Sequence, residues 1–125
     1  MTFARRFAGT VAHAAVAVSF FAAASLAYAH AYPKVRTPAA DSTVAAPHEV
    51  AIEFDDALEP AFSSITVSDA QGHTVSAGKS AVDAQDKKHM AVAVGDLGPG
   101  VYTVNWVAVA ADGHRTQGHY AFNVK

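Results

Sequence analysis

The stretch Leu97-Gly98-Pro99-Gly100-Val101-Tyr102-Thr103-Val104-Asn105-Trp106-Val107-Ala108-Val109, closed by Asp112-Gly113, decides the fold class. Gly98-Pro99-Gly100 is a turn, because proline fixes its own φ and glycine accepts backbone conformations that other residues avoid. The apolar run Val101–Val109 that follows reads as the longest strand, and Asp112-Gly113 is the next turn. Beyond it, Gln117–Val124 alternates, with Tyr120, Phe122 and Val124 on one face. Towards the N-terminus the same period of two recurs. Glu49–Phe54 places Val50, Ile52 and Phe54 together, Ser64–Ser68 places Ile65 and Val67, and His89–Val94 places Met90, Val92 and Val94. Gln71-Gly72 marks a turn, after which His73–Ala77 reads as a short strand. No stretch carries a convincing helical period. Six or seven short strands bounded by Gly, Pro and Asp predict an all-β, antiparallel β-sandwich with Trp106 and its neighbours in the core.

The first 29 residues do not belong to that pattern. Arg5 and Arg6 precede an apolar, alanine-rich run from about Val11 to Leu26, and Ala27-Tyr28-Ala29 closes it. A basic start, an apolar middle and a small-x-small end describe a cleavable secretory signal peptide. The run is nearly long enough for a membrane anchor, but its weak hydrophobicity and clean cleavage site favour removal. The residues around the arginine pair match a twin-arginine signal poorly, so the general secretory route is expected. Cleavage after Ala29 leaves a single domain, residues 30–125, and takes the formal charge from −2 to −4. An acidic domain of this kind is a poor partner for nucleic acid or an anionic membrane surface. The chain has no cysteine, so a metal site must use His, carboxylate or Met, and six of its seven histidines lie in the mature part.

Processing makes His30 the first residue. An N-terminal histidine offers its free α-amine and its ring Nδ1 to one ion in a six-membered chelate, an arrangement suited to Cu(II), which favours tetragonal nitrogen and oxygen ligands. Asp112 and His114 are a second candidate pair, since residues i and i+2 of an extended segment face the same side. Against this stands the ordinary use of Asp-Gly in a turn, with Arg115 available to pair with Asp112. Spacing alone does not bring His30 to this segment. His48, His73 and His89 fall at turns or strand edges and His119 lies out of phase with Tyr120 and Phe122, as solvated polar residues do.

Over nearly its full mature length the sequence resembles the CopC copper-resistance family. The resemblance is carried by His30-Ala31, Thr37-Pro38-Ala39-Ala40-Asp41-Ser42, Ala46-Pro47, Glu53-Phe54 and Leu58-Glu59-Pro60-Ala61-Phe62-Ser63. It continues through Pro99–Trp106, Ala111-Asp112-Gly113-His114 and Gly118–Val124. It implies a Greek-key β-sandwich of about seven strands, cupredoxin-like or immunoglobulin-like. It also implies a periplasmic Cu(II) site formed by His30, Asp112 and His114, and an inner-membrane partner, CopD. The family places a further carboxylate after the Phe of the first long strand, and here Asp56 stands where Glu is usual. Met-rich relatives hold Cu(I); with Met90 as its one mature methionine, this chain is expected to lack such a site. Relatives with His at mature position three have Tyr32 as their counterpart here.

The expected function is non-enzymatic: binding one Cu(II) for copper resistance or homeostasis, by buffering or by delivery. Two other classes remain to be weighed. An amine with two imidazoles is also the histidine brace of copper monooxygenases, although this small domain lacks an evident aromatic substrate face. A metal-free β-sandwich interaction domain is the third reading.

Overall fold

The computed structural model describes residues 30–125; the signal peptide expected over residues 1–29 lies outside the described residues. Eight strands run in chain order: β1 (Pro33–Thr37), β2 (Thr43–Val44), β3 (Glu49–Phe54), β4 (Ser64–Ser68), β5 (Ser76–Val82), β6 (His89–Val94), β7 (Gly100–Val109) and β8 (Arg115–Val124). A single 3₁₀ turn, Pro60–Phe62, is the only helical element among the described residues. The strands form two four-stranded sheets, ordered β1-β3-β6-β5 and β2-β8-β7-β4. The chain changes sheet at every step from β1 to β5 and again between β6 and β7, the path of a Greek-key sandwich.

The alternation in the sequence becomes the core directly. Val50, Ile52 and Phe54 of β3, Ile65 and Val67 of β4, and Met90, Val92 and Val94 of β6 are all buried. From the second sheet come Tyr102, Val104, Trp106 and Ala108 of β7 and Tyr120, Phe122 and Val124 of β8. Each strand gives alternate residues to the space between the sheets, as a sandwich requires. The rings mesh. Phe54 meets Trp106 edge-on with centroids 5.5 Å apart, and Tyr102 stacks on Phe122 at 5.7 Å. Trp106 lies opposite Gly118 in the β7–β8 ladder, and a Cβ at position 118 would stand 2.7 Å from the indole. Glycine is needed here for space, not for its dihedral angles.

Three expectations change. The strand anticipated at His73–Ala77 begins instead at Ser76 and runs to Val82. This β5 is mostly exposed, contains Gly78 at φ +77°, and shifts register against β6 between Ala77 and Ala81, so it carries no clean apolar alternation. Strands β1 and β2 add to the count. β1 opens with proline and carries Lys34 and Arg36 at a sheet edge, where a polar strand is favoured. β2 is two residues long and pairs with β8 in parallel, the one departure from antiparallel pairing.

The outer edge of β4 is closed by side chains. Ser80 Oγ accepts the amide of Ile65 at 2.9 Å, and Ser76 Oγ accepts that of Val67 at 3.3 Å. The β5 hydroxyls thereby take the acceptor places of a missing neighbour strand. On the opposite side, the Arg36 guanidinium lies 5.4 Å from the centroid of the Tyr120 ring. The buried Tyr120 hydroxyl has no hydrogen-bond partner among the described residues.

Two outcomes follow from this packing. Gly118→Ala forces the indole of Trp106 to move and should lower unfolding free energy by about 1–3 kcal/mol in a denaturant titration. Burial raises the Tyr120 phenol to about 12, the nearby Arg36 opposing it only in part. A raised folded pKa means that the unfolded chain ionises first as pH rises. Stability should therefore be unaffected by this group below pH 10 and decline as pH rises from about 10 towards 12. Thermal melts should show that decline, and Tyr120→Phe should remove it.

Candidate metal centre

The β7–β8 hairpin builds one half of the site. Its ladder runs without interruption from Gly100↔Val124 to Val109↔Arg115. It then continues through the amide of Ala110, which donates to the His114 carbonyl at 3.0 Å. The tip must reverse within Ala111–Gly113. Gly113 does so at φ +86°, in the left-handed region that glycine enters without a Cβ penalty, and its amide donates to the Ala110 carbonyl at 2.9 Å. Asp112 and His114 are therefore neighbours across a turn, not residues of an extended strand as their spacing suggested. One carboxylate grips the turn twice. Asp112 Oδ1 accepts the His114 amide at 3.0 Å, and Oδ2 lies 2.7 Å from His114 Nδ1. The ring and carboxylate are each partly exposed, so the pair is open to solvent. Asp112 thus holds the imidazole of His114 in a set orientation.

The N-terminal segment builds the other half. Ala31 is fully buried and joins the core. Its carbonyl accepts a hydrogen bond from Thr116 Oγ1 of β8, and the same hydroxyl reaches towards the Ala108 carbonyl of β7 at 3.4 Å. The next residue is tied to the end of β3 by a reciprocal pair. The Tyr32 amide donates to Asp55 Oδ1 at 2.8 Å, and the Asp55 amide donates to the Tyr32 carbonyl at 3.0 Å. With Ala31 and Tyr32 both anchored, His30 is set beside the hairpin tip. Its ring centroid stands 5.1 Å from that of His114, with the planes at 48°. Tyr32 flanks it on its other contact, with centroids 5.9 Å apart and the hydroxyl 3.3 Å from His30 Nδ1.

His30 and His114 are thus brought ring to ring, and Asp112 is bonded to His114. Asp56 sits in the turn after β3, where its Oδ1 accepts the amide of Ala57 at 2.8 Å. Its neighbour Asp55, which carries no motif in the sequence, is the carboxylate bonded to the N-terminal segment. Thr116 was equally silent: a threonine on a strand signals nothing until the segment it clamps is known. Among the described residues no three His, Asp or Glu side chains are gathered at metal-holding positions. The chemistry of the donors nevertheless fits Cu(II): two imidazoles and a carboxylate at one end of the sandwich, with no thiolate in the chain. His48, His73 and His119 are exposed and His89 half-buried, each at the turn or strand position expected of it. Met90 is fully buried opposite Ile52 and serves the core.

Known proteins share this sequence and this fold. Protein YobA of Escherichia coli K12 is 37% identical over 100 residues, covering 78% of this chain and 81% of that protein. Copper transport protein CutJ of Bacillus subtilis is 33% identical over 99 residues, which is 78% of this chain and 18% of that much longer one. The crystal structure of PcoC, a methionine-rich copper resistance protein from Escherichia coli, superposes with a TM-score of 0.69 at 37% identity, covering 78% of this chain and 100% of that chain. Residues 34–125 match the CopC domain, so the chain belongs to the CopC family of copper-binding proteins.

Proposed function

We propose that the chain is exported by its cleavable signal, works in the periplasm, and binds one Cu(II) through His30, Asp112 and His114. The observation that carries this reading is the approach of the His30 ring to His114, whose Nδ1 is bonded to Asp112. After cleavage the α-amine of His30 becomes available beside these groups, and it is a main-chain donor. A site that counts a main-chain nitrogen needs fewer converging side chains than one built from side chains alone. Asp112 can serve as a ligand or, by holding His114 Nδ1, can direct Nε2 to the ion. Either use leaves a mixed nitrogen and oxygen environment that favours Cu(II) over Cu(I).

The protein's role on this reading is to buffer Cu(II) or pass it to an inner-membrane, CopD-like partner, without catalysis. CutJ supports the idea of a companion, because the segment similar to this chain is joined there to a far longer remainder under a copper-transport name.

His114→Ala and Asp112→Ala should each weaken Cu(II) binding by about a hundredfold or more in competition titrations, with the fold intact by circular dichroism. Affinity unchanged in both variants would overturn the site.

Processing supplies an independent test. In the uncleaved chain the His30 nitrogen belongs to the peptide bond with Ala29, and an amide nitrogen has no available lone pair. Protein beginning at His30 should bind Cu(II) much more tightly than protein carrying one additional residue before it. Both should bind more weakly as pH is lowered, because the ion must displace protons from its donors. Equal affinity of the two forms across pH 5–8 would remove the amine from the ligand set.

A further inference from the structure

Tyr32 is placed with more care than its exposure requires. The side chain is 51% exposed, so core packing does not dictate where the ring goes. Its backbone, however, is fixed on both sides by the reciprocal bonds with Asp55 and by the burial of Ala31. From that anchored backbone the phenol meets the His30 ring, edge against face at 60°, with the hydroxyl 3.3 Å from Nδ1. The separation is long for a hydrogen bond to nitrogen. It is, by contrast, a natural distance between two cis ligands of one ion. With imidazole at about 2.0–2.1 Å from a metal, a donor at right angles and 3.3 Å from Nδ1 stands about 2.6 Å from that ion. A donor so far out matches the weak axial position of a tetragonally elongated Cu(II). An un-ionised phenol, a poor oxygen donor, suits such a position better than an equatorial one.

We propose that the hydroxyl oxygen of Tyr32 is an axial ligand of the Cu(II) bound by His30, Asp112 and His114. The inference rests on the copper reading above and adds a residue to it. It also gives Asp55 a role: by holding the backbone of Tyr32, it positions the phenol without touching the ion.

The test compares proteins that begin at His30, each with one equivalent of Cu(II): the parent, Tyr32→Phe, Tyr32→Leu and His114→Ala. Tyr32→Phe leaves the backbone bonds to Asp55 in place, and Tyr32→Leu serves as a second variant with no aromatic ring. Both should bind within about tenfold of the parent, because one weak donor is lost. Their d–d absorption should move to higher energy and their parallel g value should fall in electron paramagnetic resonance, since the ion loses axial field. Spectra that superimpose on the parent's overturn the proposal, even if affinity drops, because a ring that only packs against His30 leaves the metal's own electronic signature unchanged. His114→Ala separates the two readings. If it damages binding while the Tyr32 variants are spectroscopically silent, only the axial ligand is lost. If the parent binds no Cu(II), or His114→Ala retains its affinity and spectrum, the copper site fails and the Tyr32 proposal with it.

Discussion

The β7–β8 ladder is the constraint from which the rest of the molecule follows. It is the longest pairing in the structure, and its register decides two things at once. Inward residues of both strands supply Trp106, Phe122 and their neighbours to the core. At its far end the same register delivers the Asp112-Gly113-His114 turn, and one step inside that turn it presents Thr116 to the carbonyl of Ala31. A slip of one residue would reverse every side chain on the slipped strand. The contact of Trp106 with Gly118 resists such a slip, since no other pairing on β8 offers the indole the same gap. Core, hairpin tip and N-terminal anchor are thereby set by a single alignment.

The N-terminal segment shows how a short, exposed end of a chain can be made precise. Three successive residues meet three different restraints: His30 touches His114, Ala31 is buried and bonded to Thr116, and Tyr32 is bonded to Asp55. These partners come from β8 with its preceding turn and from the end of β3, which belong to opposite sheets. The segment thus bridges the mouth of the sandwich. The geometry at His30 is a property of the assembled fold, not of the first residues.

That explains which features were legible in the sequence. Strands β3, β4, β6, β7 and β8 could be read because each alternates between a buried and a solvated face, and the observed β3, β4 and β6 have the bounds their patterns suggested. Strands β1, β2 and β5 could not. None of the three has a buried residue, and β2 is only two residues long, so their sequences carry no apolar period. At the site, His30, Asp112 and His114 stood out by residue type and by resemblance to a family. What spacing could not supply was their meeting, because 82 positions separate His30 from Asp112 and only the fold closes that distance. Asp55 and Thr116 left no mark in the sequence because ordinary residue types perform their work there through backbone contacts.

The serine hydroxyls along β4 have a consequence of a different kind. A sheet edge with unsatisfied amides is a template on which another extended chain can lay itself down. In β4 the outward amides of Ile65 and Val67 already have acceptors in Ser80 and Ser76, supplied from within the same molecule. An incoming strand would have to displace both before it gained a bond. This border of the sheet is therefore closed to edge-to-edge pairing by two hydroxyls alone, in a chain that has no disulfide to hold it.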